Sequence, residues 1–422
     1  MTAAPSEPLS WQQEGRLRRD LDRGERVANI VGVWTLPLGM EEGLLLTRLR
    51  ELMHHEDSLR IDRLTLEEGG SVGYADHQDL PVQQRQMASW ADLTAFAEEK
   101  AYDFFGRSNG PLWDAHLITC PDQSGQLRAH LCGTFDHIIW DGRSHALFGE
   151  VVTSGEEVRG LRSGRHRAWV RWQRSTYADP QILDAPSIQF WHEHLGGTPP
   201  DRAVDLSFHA GAHVSPTGTA MSVNRVAPVS VDQLRRAAAL SRTTPFVIFA
   251  AAVAHAVNRF GGSQDFTFRV NTAGRPPEYL DTLGYFADNM PVRLQGTELR
   301  DPLLAVEMVR RTWFGTLRHQ TVPWDYLLAA FGGTGQIVTR QSAQALVNFL
   351  PWVQGADEVP PTGSYEYRSS VSTFQTAGTL WHDGTCRVEC VFDVARFDPA
   401  GGNDFTDVVC ESLGRIVTAY AD

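Results

Sequence analysis

Residues Gly133–His145 read GTFDHIIWDGRSH, which sets two acids and a histidine within six positions, after the β-prone run HLCGTF and before a glycine. A histidine at the end of a buried strand, beside a glycine turn, can act as a general base once its neighbours fix its tautomer and ring angle. A charged turn that merely closes a strand is the alternative. In the first reading His137 is the base, with Asp136 or Asp141 holding it. The His-x-x-x-Asp-Gly spacing does not separate the two readings, so the flanking chain must.

That chain has 422 residues, too many for one compact core and enough for two domains of roughly 200 residues each. A hydrophobic content of 42% and a charged content of 21% suit a water-soluble globular protein. The formal charge of −13 disfavours nucleic acid as a partner. Two arginine groups stand against it, Arg16, Arg18, Arg19, Arg23 and Arg26, then Arg159, Arg162, Arg165, Arg167, Arg171 and Arg174. They read either as solvated helix faces or as docking patches for an acidic partner. The first twenty residues carry no apolar segment or small-residue cleavage site, and no stretch of about 18 apolar residues occurs, so a cytoplasmic protein without a membrane span is expected. The five cysteines are scattered; Cys386 and Cys390 would share a strand face rather than bind zinc, and no metal site is expected.

Periodicity predicts an α+β layout. GVWTLPL (32–38) reads as a strand and EEGLLLTRLRELMHH (41–55) as a helix; SLRIDRLTLEE alternates like a strand, and ADLTAFAEEKAYDFF (91–105) is helical. DAHLITC and LRAHLCGTFDHII read as strands paired around the turn PDQSGQ. Helices follow in RSHALFGEVVTS and RHRAWVRWQRSTYA, and Trp169, Trp172 and Trp191 read as core at helical spacing. Breakers in DPQILDAPS mark a junction, giving an N-terminal lobe over 1–178 and a C-terminal lobe over 187–422. In the second lobe SVDQLRRAAALSR begins with a serine cap, TPFVIFAAAVAHAVNRFGG ends in glycines, DFTFRVNTAG is a strand and DPLLAVEMVRRTWFGTLRHQ a long helix.

The opening stretch resembles the condensation domains of nonribosomal peptide synthetases and their acyl-CoA-dependent relatives. Their His-His-x-x-x-Asp-Gly pattern is met by DHIIWDG (136–142) except at the first histidine. HHEDSLRID (54–62), YDFFGRSNGPLWDAHL (102–117), RFGGSQDFTFRVNTAGRP (259–276), LGYFADNMPVRL (283–294) and TVPWDYLLAAF (321–331) are similar to further family landmarks in the same order. The segment 283–294 resembles Gly-Phe-Phe-x-Asn-x-x-Pro-x-Arg.

The resemblance implies two chloramphenicol-acetyltransferase-like lobes arranged as a V-shaped pseudo-dimer, with a central tunnel for donor and acceptor. By carry-over, His137 is the histidine at the tunnel centre, Asp141 an acid that supports its loop by pairing with Arg275, and Gly142 the glycine that lets substrate pass near the backbone. Asp136 departs from the pattern and, with Asp141, spells the Asp-x-x-x-x-Asp of heterocyclization domains, although His137 argues against that assignment. Trp140 either points into the tunnel and blocks a channel or packs in the core. Asn348 and Trp352 fall near the segment expected to face the tunnel floor; Arg60, Asn289 and Arg293 read as structural. The function implied is that of a free-standing acyltransferase of natural-product biosynthesis. It would need no bound cofactor and would take an acyl or aminoacyl thioester, on the phosphopantetheine of an acyl- or peptidyl-carrier protein or as coenzyme A, to a small-molecule amine or alcohol. A monomer is expected. The rival is a degenerate domain that recruits carrier proteins or a tailoring enzyme, for which Asp136 and Trp140 would be the support.

Overall fold

The computed structural model describes residues 7–23, 26–67, 70–75, 79–154, 164–196, 206–208, 219–331, 346–354, 363–368 and 374–421. The chain forms two compact units. One comprises residues 1–182 and 273–288, the other 183–272 and 289–422. The cut at 182/183 falls inside the stretch of breakers, but Arg275, expected in the second lobe, belongs to the first unit. Its segment returns because side chains of the first unit bind its backbone, as described below.

The first unit runs β1 (Glu7–Pro8), α1 (Trp11–Arg23), β2 (Ile30–Thr35), α2 (Glu42–His55), β3 (Ile61–Thr65), β4 (Ser71–Tyr74), β5 (Val82–Gln86), α3 (Trp90–Lys100), β6 (Trp113–Pro121), β7 (Leu127–Phe135), α4 (Gly142–Thr153) and α5 (Arg165–Ala178). Its main sheet has the order β2-β7-β6-β5, with β7 antiparallel to both neighbours and β5 parallel to β6. A smaller sheet has the order β1-β4-β3. Because β7 is central, its last six residues are all buried, and the chain emerges at Asp136 from the middle of the sheet. The aromatic core lies directly behind that exit. Trp113 stacks on Phe135 at 5.9 Å, Trp140 on its other side at 4.1 Å, and Phe148 of α4 meets Phe135 edge-on at 5.2 Å.

The second unit contains α6 (Pro186–Leu195), β8 (Thr219–Ser230), α7 (Val231–Leu240), α8 (Pro245–Gly261), β9 (Asp265–Thr272), β10 (Asp288–Gln295), α9 (Pro302–Leu317), α10 (Trp324–Phe331), β11 (Leu346–Gln354), β12 (Gly363–Arg368), β13 (Gln375–Trp381), β14 (Thr385–Asp393) and α11 (Pro399–Ala421). Its sheet order is β10-β9-β11-β13-β14-β8-β12. Local chemistry explains the helix starts. Ser230 and Gln233 form a reciprocal capping box at α7, Thr244 caps α8 ahead of Pro245, and Asp301 caps α9 ahead of Pro302. Helix α8 is buried without a break from Val247 to Asn258, as its all-round apolar sequence requires. It then stops at Gly262, whose φ of +66° suits glycine.

Trp169 and Trp191 are core residues, but Trp172 is 45% exposed, contrary to the sequence reading. The buried seam of α5 is His166, Trp169, Val170, Gln173 and Tyr177, and Trp172 stands beside that seam rather than on it. Cys386 and Cys390 do share the buried face of β14.

Candidate active site

Strand β7 ends at Phe135, so His137 sits in the turn beyond it rather than on the strand. That turn is fixed at both ends by its own acids. The Asp136 carboxylate accepts the Ile138 amide at 3.0 Å, a two-residue side-chain turn, while the Ile139 amide donates to the Asp136 carbonyl at 3.0 Å. Asp141 is the N-cap of α4, its Oδ1 accepting the Ser144 amide at 2.8 Å. Helix α1 supports the middle. Ser10 and Gln13 cap that helix reciprocally, and Gln13 Nε2 donates to the Ile138 carbonyl at 3.3 Å.

Within this frame His137 Nδ1 lies 3.0 Å from the Trp140 carbonyl oxygen. A carbonyl can only accept, so Nδ1 carries the proton and, in the neutral ring, Nε2 carries the lone pair. Burial first, and the Arg16 guanidinium second, push the imidazole pKa down to about 4. The residue as a whole is half-buried. At neutral pH His137 is therefore an uncharged imidazole with a basic nitrogen that has no partner among the described residues. Neither acid touches it.

Asp141 spends its oxygens elsewhere. Besides the cap, Oδ1 pairs with Arg275 Nη2 at 2.7 Å, and Oδ2 accepts the amides of Phe286 and Ala287 at 3.0 and 3.2 Å. The Arg275 side chain is fully buried, lies over the Phe286 ring at 4.2 Å and also donates to Ser144 Oγ and the Thr282 carbonyl. Ser144 Oγ in turn donates to the Gly284 carbonyl at 2.7 Å and accepts its amide at 2.9 Å. Gly274 makes the approach possible. Its φ is +58°, and a Cβ there would stand 2.0 Å from the Phe286 carbonyl oxygen. Two side chains at the start of α4 thus hold the segment 275–287 by its backbone.

Asp136, which departs from the resembled pattern, forms a two-point ion pair with Arg107, Oδ2 to Nε and Oδ1 to Nη2 at 2.8 Å each. Arg107 Nη1 binds Asp20 at 2.7 Å. The pairing outweighs the cost of burial and holds the Asp136 carboxyl below its ordinary pKa. Trp140 is fully buried in the aromatic stack, so it is core and not a plug in a channel. Gly142 is exposed, with no atom within 4 Å of where a Cβ would stand. Asn348 is a half-buried residue of β11 paired with Ala377 in the second unit, and the side chain of Trp352 lies outside the described residues.

Arg60 pairs with Asp57 at 2.8 Å and Arg293 with Asp265 at 2.7 Å, both structural contacts. The described members of the second arginine group are partnered. Arg165 binds Asp281, Arg167 lies over Tyr74, Arg171 binds Glu7 and Arg174 binds Glu14. Arg159, Arg162 and the Arg23 side chain lie outside the described residues. Among the described residues no cluster of His, Cys, Asp or Glu could hold a metal ion, and no single helix is long and apolar enough to cross a membrane. Sequence reasoning missed Ser144, Gln13, Arg107 and Tyr285, and it read Arg16 only as a member of the first arginine group. The Asp-x-x-Ser and Ser10-x-x-Gln13 cap spacings could have revealed Ser144 and Gln13, and the GYF departure from Gly-Phe-Phe could have revealed Tyr285; Arg107 has no periodic pattern.

The family model for the condensation domain matches residues 6–419. Phosphinothricin tripeptide synthetase PhsC of Streptomyces viridochromogenes is 28% identical over 266 residues, which covers 60% of this chain and 23% of that protein. The chain thus spans about a quarter of the length of that synthetase. The solved condensation domain of the monacolin K polyketide synthase MokA superimposes with a TM-score of 0.78 at 14% identity, covering 99% of this chain and 98% of that one. An X-domain from teicoplanin biosynthesis, also solved in complex with OxyB, gives 0.77 at 16% identity, covering 99% and 96%. The fold is therefore the chloramphenicol-acetyltransferase-like one. With the family match running over nearly its whole length, the chain belongs to the condensation-domain family.

Proposed function

We propose that this condensation domain transfers an acyl or aminoacyl group from a thioester to an amine or alcohol. The nucleophile attacks the thioester carbonyl, the new C–N or C–O bond forms as the C–S bond breaks, and the nucleophile's proton passes through His137 Nε2 to the departing thiolate. A general base contributes about 10²–10⁴-fold when its pKa lies near the working pH; with the His137 pKa lowered to about 4, holding both reactants together carries the larger share. The observation that carries the reading is the Nδ1–H contact to the Trp140 carbonyl, which leaves Nε2 unprotonated. The thioester reaches the domain in trans, on a carrier-protein phosphopantetheine arm or as coenzyme A, and the product belongs to natural-product biosynthesis. A cytoplasmic monomer is part of the same proposal.

Each of two rival readings loses one of its arguments. Trp140 lies in the core, so it supplies no argument for a blocked, recruiting domain. Asp136 and Asp141 are each committed to a buried arginine, which leaves neither as a base for heterocyclization. Incubation with a carrier-bound acyl donor and trial amines, followed by intact mass, tests the proposal. Turnover should be lost in His137→Ala and kept in Glu307→Gln, a change at an exposed ion pair of α9. Equal turnover in both variants would remove the catalytic assignment.

A further inference from the structure

Gln13 and Arg16 are three residues apart on α1 and so share a face. Gln13 binds the His137 turn at the Ile138 carbonyl. One turn further, Arg16 Nε and Nη2 both lie 3.2 Å from the Tyr285 hydroxyl, and the guanidinium carbon is 5.2 Å from the Tyr285 ring centroid. The Tyr285 ring meets His137 edge-on at 5.7 Å. Tyr285 stands in GYF where the resembled pattern has Gly-Phe-Phe, and its hydroxyl is what Arg16 uses. Other arginines near the site have acids, Arg107 with Asp136 and Asp20, Arg275 with Asp141, and Arg174 with Glu14. Among the described residues Arg16 hydrogen-bonds only the phenol hydroxyl, although it is partly buried. A guanidinium in that situation retains donors and uncompensated charge, which favour a carboxylate.

We propose that Arg16, positioned by the Tyr285 hydroxyl, is a carboxylate subsite beside His137, so that the substrate presented to the imidazole carries a free carboxylate. The inference rests on the acyl-transfer reading and names the substrate class for it. An amino acid acceptor with its α-carboxylate unesterified fits this chemistry; its ester or amide does not. The field of Arg16 at His137 supplies a second consequence, because it opposes protonation of the imidazole. A carboxylate bound at Arg16 neutralises that field and raises the His137 pKa.

The test has two arms. In the first, amino acids and the matching amino acid amides compete as acceptors with wild type and with Arg16→Met. Wild type should prefer the free acids in kcat/KM, and the variant should lose that preference by about 10- to 100-fold, mainly through KM. An equal fall for acids and amides would mean that Arg16 serves the oxyanion of the reaction instead, and an unchanged preference would mean that it serves neither; both overturn the proposal. In the second arm, N-acetylglycine is titrated against protein with labelled histidines, without turnover. The His137 pKa should rise in wild type and stay fixed in Arg16→Met, and no rise in wild type sinks the subsite. Because this arm needs no chemistry, absent turnover with a normal titration would count against the acyl-transfer reading alone.

Discussion

At Asp136 the carboxylate takes both arms of Arg107, and Arg107 takes Asp20 as well, all within the buried interior. Removing one member strands the charge of the others. Asp136→Ala should therefore cost about 3–5 kcal/mol in urea unfolding, and Asp136→His, which restores the resembled motif, should destabilise rather than activate. An Asp136→His protein as stable as wild type would show that the ion pair contributes nothing. Trp140→Ala should likewise cost about 3–5 kcal/mol because it opens a cavity in the stack, without widening any route to His137. The Asp141–Arg275 pair was legible from motif order. Arg107 was not, because it meets Asp136 from 29 positions away in a loop with no periodic pattern.

The decisive element is the start of α4, where Asp141 and Ser144 cap the helix and also grip the segment 275–287. Asp141→Ala and Arg275→Ala should each lower stability by about 3–5 kcal/mol, and the double variant by less than the sum. Additive losses would mean that the pair is not coupled. The same segment is held at Leu283, whose amide donates to Glu56 at 2.9 Å. Burial raises the Glu56 pKa to about 7. A carboxyl raised in the folded state keeps its proton between about 4.5 and 7, so its contribution to stability is lost as pH rises through that window. Glu56→Gln should remove this loss, gaining roughly 1–3 kcal/mol at pH 8 relative to its effect at pH 4.5. A pH-independent difference would contradict the shift. Helices and strands were readable from period and caps. The return of 275–287 to the first unit was not, since it depends on side-chain contacts to backbone amides that leave no trace in hydropathy.

Across the whole molecule, His137, His145 and His166 in the first unit and His194 in the second have pKa values lowered to about 4, with burial the leading cause. The unfolded chain takes up these protons near pH 6.5 and the folded chain only near 4. Stability should therefore fall as pH drops through that window, opposite in sign to Glu56. In the Glu56→Gln background the urea midpoint should be lower at pH 5 than at pH 7. An unchanged or higher midpoint would mean that the histidines are not held neutral by the fold. The two-lobed plan was legible because breakers cluster between two similar α+β runs. Of the two readings left open for the arginine groups, arginine counts alone could not choose, because they ignore acids supplied from distant sequence, such as Glu7 for Arg171.

Acyl transfer by this domain turns on the protonation state of a single ring. The nitrogen-15 imidazole spectrum of His137 at pH 7 measures it directly, with His137→Ala supplying the assignment. A protonated Nδ1 and a bare Nε2, persisting on acidification to about pH 5, are expected. A proton on Nε2, or an imidazolium at pH 7, would contradict the assignment of His137 as the base.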